Sequence, residues 1–324
     1  MPALFWHDAG IVRVGLRGTL TSMAQLITSD IPRFWEAFRF IHAPDAEAHM
    51  QRLYLDAGTA GVQGFTPGRI ESAAHLVRVA RAREAFYSGI QASSLQVMGD
   101  VAPQLDSVLE GFERLFPGVV LPDIYLVIGA MNSGGTMAHG PDGPIAIIGL
   151  EFFSAAPDTP THELTPWERG VIQPPTQLPA IIAHELVHTL QDIPDESQRS
   201  LLLYTLAEGA ADYLGELVSG QTVNPALHRY GLEHENELKA EFLRDILRGQ
   251  SHEAWMYQGQ KAAGHPADLG YFIGAQIVRA YHRKFAHHPA VLRDLLHFSL
   301  RVPEEFTRRS GYFGEAWLAR GLHV

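Results

Sequence analysis

Two histidines four residues apart, with a glutamate beside the first, are the residues of this chain best suited to chemistry: His184-Glu185-Leu186-Val187-His188. On a helix, residues four apart share a face. His184 and His188 can therefore hold one metal ion, with Glu185 placed to take a proton from a metal-activated water. The flanks suit a buried helix, because Glu185 is the only charged residue from Leu178 to Gln191, and Pro179 fits a first turn. The bland alternative is a buried helix with two satisfied histidines. Against it stands the cost of an ionised Glu185 among apolar neighbours, which a metal site would offset.

A second motif follows a short loop. The stretch Leu201–Leu217 reads as a helix carrying Glu208 and Asp212, again four apart, among Leu206, Ala207, Ala210, Ala211 and Leu214. Two carboxylates on one apolar face repel unless a cation or donors receive them. The economical reading makes Glu208 the third ligand of a single zinc ion. Asp212 would then accept a hydrogen bond from the far nitrogen of a ligand histidine. Two histidines and one carboxylate leave a fourth position for water, the pattern of a catalytic site. The small residues Gly209, Ala210 and Ala211 should let this helix come close to the metal helix. The alternative is a helix whose Glu208 is only salt-bridged.

The elements that must position these groups come earlier. Asp30 can cap a helix with Phe34, Trp35, Phe38 and Ile41 at helical spacing. Further helices are expected near Asp45–Leu55, over Ile70–Ser88 and over Gln104–Phe116, their aromatics and leucines serving the core. A short strand is possible at Ile11–Leu16. Asp123–Gly129 and Pro144–Phe153 are apolar strands joined by a glycine-rich loop, Met131–Gly143, and read as antiparallel neighbours. They are either an ordinary hairpin or an edge strand that could pair with an extended peptide. A Pro/Thr-rich connector, residues 154–177, leads to the metal helix; His162, Glu163 and Trp167 receive no role.

Bulk properties narrow the classes. With 324 residues and a net charge of -11, the chain has the size of a proper core but not the basic face that nucleic acid wants. The chain has no cysteine, which excludes disulfides, thiolate metal sites, thiol catalysis and cysteine-borne lipid anchors. No run is long enough for a membrane span. The start, Met1-Pro-Ala-Leu-Phe-Trp-His-Asp8, does not read as a signal peptide. Location is therefore open: cytoplasmic by default, exported if a leader has been removed.

His184-Glu-Leu-Val-His188 followed by Glu208-Gly-Ala-Ala-Asp212 resembles the gluzincin metallopeptidases. That resemblance implies His184, His188 and Glu208 as zinc ligands, Glu185 as base, and Asp212 supporting a ligand, His184 by preference. Metzincins do not fit, because Gln191 and Pro194 stand where their glycine and third histidine would be. Ser29–Trp35, Tyr54–Gly61, Gly129–Thr136 and Gly270–Gly274 are similar to a bacterial family of predicted zinc-dependent proteases related to gliding-motility lipoproteins. This likeness runs from about Thr28 onward.

A zinc peptidase also needs a donor for the developing oxyanion. In gluzincins a Tyr or His set apart from the ligands serves. Tyr271 is the candidate, opening a helix after Gly270; Tyr281 and His282 follow, and a core aromatic is the alternative. His228, His234 and His252 read as surface residues.

The expected fold is α+β, mainly helical and zincin-like, with a small antiparallel or mixed sheet next to the HExxH helix. An N-terminal helical region, 1–117, would precede a catalytic region, 118–324, in one compact unit. The expected activity is zinc-dependent hydrolysis of a peptide bond with Glu185 as general base. The substrate would be a peptide or protein, with no nucleic acid and no membrane span involved. The alternative is a non-catalytic peptide- or partner-binding protein on the same scaffold. Hydrolysis of a non-peptide amide would use the same site.

Overall fold

The computed structural model describes residues 11–13, 24–192, 194, 200–262, 264–298 and 302–318. The chain forms two compact units, 1–189 and 190–324, which part inside the helix carrying the two histidines.

The first unit is built on a five-stranded mixed sheet. Its strands are β1 (Ile11–Arg13), β2 (Gln25–Ile27), β3 (Ile124–Val127), β4 (Gly135–Gly140) and β5 (Gly143–Gly149), in the order β1-β2-β3-β5-β4. The strand expected at Ile11–Leu16 is present as β1; residues 14–16 lie outside the described residues. β3 and β5 pair in parallel, Ile124 opposite Ala146 and Val127 opposite Gly149. The expectation of antiparallel neighbours is thus corrected. The glycine-rich loop contains a strand of its own, β4, which makes the antiparallel hairpin with β5 and leaves β5 free to run alongside β3. Among the described residues β4 ends the sheet and pairs with β5.

The described α-helices of this unit are α1 (Asp30–Phe38), α2 (Ala46–Met50), α3 (Ala60–Phe65), α4 (Ala73–Ala82), α5 (Glu84–Leu115), α6 (Pro166–Val171) and all but the last residue of α7 (Leu178–Leu190). The two expected helices over 70–88 and 104–116 are instead α4 and the single 32-residue α5, which continues through Gly99 and Pro103 where a break would be expected. Phe34, Trp35, Tyr54, Phe65, Phe86 and Tyr87 are fully or almost fully buried and form the aromatic heart of the core. Asp30 does not cap α1. It lies in the helix, almost fully buried, and its carboxylate receives Arg33 at 2.9 Å and the backbone N–H of Thr59 at 3.1 Å, just before α3.

The connector is ordered by its own polar residues. Glu163, for which the sequence suggested no role, accepts from the N–H groups of Ala85 and Phe86 at the open start of α5. Glu168 is buried and receives Arg83 through both Nε, at 2.9 Å, and Nη2, at 2.7 Å. Trp167 packs edge-on against Phe152.

The second unit is helical: α8 (Leu201–Ser219), α9 (Pro225–Glu233), α10 (Glu235–Leu247), α11 (Gly270–Lys284), α12 (Val291–Leu296), α13 (Pro303–Ser310) and α14 (Glu315–Leu318). The Ser200 hydroxyl caps α8 by accepting from Leu203 N–H, and Gly220 ends it in the left-handed region at φ 73°. α8 and α11 cross in backbone contact. A Cβ on Gly209 would lie 2.1 Å from the carbonyl carbon of Gly274. The close approach that Gly209 permits is therefore to α11.

Candidate metal centre

α7 forms because its residues are apolar almost throughout. Leu178 to Val187 are all buried, including His184 and Glu185, while His188 is partly exposed. The helical spacing brings the two imidazoles together: their Nε2 atoms lie 3.1 Å apart, and the rings meet edge to face at 80°. One N–H···N bond could join them. So could a shared ion, since ligands about 2.0–2.1 Å from a tetrahedral zinc sit about 3.3 Å from each other. Glu208 is buried on α8. One nitrogen of His184, one of His188 and one carboxylate oxygen of Glu208 all lie within 4.8 Å of one another, a group that could hold a metal ion. Two imidazoles and a carboxylate are donors that zinc accepts, so the residues fit the group.

Glu185 rests against the start of β4. A Cβ at Gly135 would lie 2.4 Å from Oε1 of Glu185 and 2.8 Å from its Cγ. A side chain at 135 would push the carboxylate from this position. The chain leading to Gly135 is held from inside the core. The Tyr54 hydroxyl donates to Ile128 O at 2.7 Å and accepts from Ile128 N–H at 2.9 Å. The Tyr87 hydroxyl donates to Gly129 O at 2.8 Å. Glu151, just after β5, accepts from Gly129 N–H at 2.8 Å and from Met131 N–H at 3.4 Å. Met131 has φ 56°, a conformation that a non-glycine residue keeps only when its surroundings hold it. Burial pushes the Glu151 carboxyl up to about 7, while its backbone donors pull the other way. Sequence reasoning gave Tyr54, Tyr87, Gly135 and Glu151 no individual role. Tyr54 and Gly135 did fall in the stretches that carried the family likeness. Their partners are far along the chain, beyond the reach of any local periodicity.

On α8, Glu208 receives the hydroxyl of Tyr257 at 2.6 Å. Asp212 is buried and its Oδ2 meets Nε2 of His228 at 2.7 Å. His228 is accordingly not a surface residue: it is 9% exposed, its ring edge-on to Phe272. His252 is also partly covered, stacked on Tyr204 at 4.0 Å, and His234 is partly covered against Tyr230. Tyr271 is the second residue of α11. Burial, then the charges of Glu208, Tyr257, Asp268 and Asp212, push its phenol well above the ordinary range, so it keeps its proton. The two runners-up have duties elsewhere on α11. Tyr281 donates to Asp294 at 3.2 Å and stacks on Phe306, and His282 Nδ1 meets the Tyr213 hydroxyl at 2.8 Å.

Residues 164–295 match the model of a family described as predicted Zn-dependent protease. The match takes in both motif helices, α7 and α8. It supports a zinc-protease family for this part of the chain. No curated protein and no solved structure matches.

Proposed function

We propose that this chain is a gluzincin-type zinc peptidase. Its ligands are His184, His188 and Glu208, its general base is Glu185, and one ion is held per chain. The observation that carries the proposal is the convergence of two imidazole nitrogens and the Glu208 carboxylate within 4.8 Å, with Glu185 buried next to the first histidine. The family match over 164–295 supports the same reading.

Zinc bound there supplies Lewis acidity, which brings the pKa of a water toward about 7. Glu185, held against Gly135, takes the water's proton and returns it to the leaving nitrogen as the C–N bond breaks. Tyr271, kept protonated by burial and neighbouring negative charge, donates to the substrate oxygen as that oxygen gains charge. Asp212 orients a ligand histidine and is itself steadied by His228. β4 receives the substrate as an added strand, since among the described strands it ends the sheet and its first residue touches Glu185. An extended peptide or unfolded segment suits that edge better than a compact amide.

Glu185→Gln tests the reading. The zinc-loaded variant should keep the metal content of the parent and lose cleavage of a mixed peptide digest, followed by mass spectrometry, by on the order of 10²–10⁴-fold. Equal cleavage by both proteins would refute the mechanism. Zinc and peptide binding without any cleavage by the parent would instead favour the binding-protein alternative.

A further inference from the structure

The loop between α10 and α11 bears a pair of unusual backbone conformations beside a ligand of the site just proposed. Tyr257 has φ 55° and Asp268 has φ 66°, and neither is a glycine. The two positions are tied through Gln258. Its N–H donates to Asp268 Oδ1 at 2.7 Å, and its side-chain oxygen accepts from Asp268 N–H at 3.1 Å. Its amide nitrogen also donates to Ala254 O at 2.9 Å. Such conformations persist where the surroundings over-determine them.

Burial of the Tyr257 ring does not explain the strain, because the residue is 52% exposed. The loop instead aims the hydroxyl. It lies 2.6 Å from Oε1 of Glu208, and the ring leans edge-on against Tyr204 and His252. Tyr204 and Glu208 are one turn apart on α8, so a single face of that helix carries both the rest for the ring and the acceptor for the hydroxyl.

We infer that Tyr257 is a positioning residue for Glu208: its hydroxyl fixes how the carboxylate is turned, and the Gln258–Asp268 clamp holds the tyrosine for that purpose. This rests on Glu208 being a zinc ligand. A carboxylate held in place before the ion arrives loses less freedom on binding it, so the expected effect lies on metal affinity.

The experiment measures zinc affinity by chelator competition for the parent, Tyr257→Phe and Gln258→Ala, with the melting midpoint of each metal-free protein as the control for folding. Tyr257→Phe should bind zinc about 10–100-fold more weakly with an unchanged metal-free midpoint. Gln258→Ala should shift affinity in the same direction by a smaller factor. It also serves as the test should the first variant fold poorly. Parent-like affinity in both folded variants would overturn the role of Tyr257 while leaving the zinc site standing. A parent protein that binds no zinc would overturn both.

Discussion

A carboxylate on a flexible side chain serves as a ligand or base only when something holds it still. In the site proposed above, Glu208 would be held by a tyrosine hydroxyl, and Glu185 would lie where Gly135 carries no side chain. A third carboxylate, Glu151, does not reach out but pulls in, drawing the N–H groups of Gly129 and Met131 into the core. Its fully buried carboxyl keeps its proton up to about pH 7, against an ordinary 4.5. Below 4.5 folded and unfolded chains are both protonated there. Between the two values only the unfolded chain has lost the proton, so stability falls as pH rises, and above 7 the loss is complete. That gap corresponds to roughly 3 kcal/mol. Glu151→Gln removes the titration. Denaturant unfolding of parent and variant at pH 4 and pH 8 should show the variant gaining on the parent by roughly that amount at the higher pH. A difference between them that stays constant with pH would show that Glu151 is not buried as a neutral acid.

At the scale of elements, α8 is fixed by its crossing with α11. A Cβ on Gly274 would lie 1.8 Å from Thr205 O and 3.0 Å from the Cα of Gly209. Thr205 and Gly209 flank Glu208, so the crossing sets where that residue stands. Ala ordinarily suits a helix better than Gly by about 1 kcal/mol, but here the backbone contact decides the sign. Gly274→Ala should destabilise by about 3 kcal/mol in denaturant unfolding. The control is Gly170→Ala in α6, where nothing lies within 4 Å of the added carbon, and a neutral or slightly stabilising change is expected. If the two substitutions behave alike, the helices do not cross in backbone contact. The sheet shows a similar economy. Among the described strands β4 pairs with β5 and ends the sheet, and its first glycine leaves space beside Glu185.

For the whole molecule, what could be read from sequence was what is local. His184, Glu185 and His188 share one helix, as do Glu208 and Asp212, so spacing alone gives their common faces. The mainly helical make-up with a small mixed sheet was legible for the same reason. The pairing of β3 with β5 was not, because β4 is rich in glycine and lacks an apolar alternation to announce it. Nor was the burial of His228, whose partner Asp212 comes from another helix. Tyr257 was unreadable because its role depends on two left-handed residues eleven positions apart meeting through Gln258. No described helix is long and apolar enough to cross a membrane.

The central claim is that His184, His188 and Glu208 share one zinc ion. Zinc content of the purified chain, measured by atomic emission after dialysis against trace zinc, tests it most directly. One zinc per chain is expected for the parent and for Glu185→Gln, with most of it lost in His188→Ala and Glu208→Ala while both remain folded. A parent without zinc, or variants at 188 and 208 that hold as much as the parent, would contradict it.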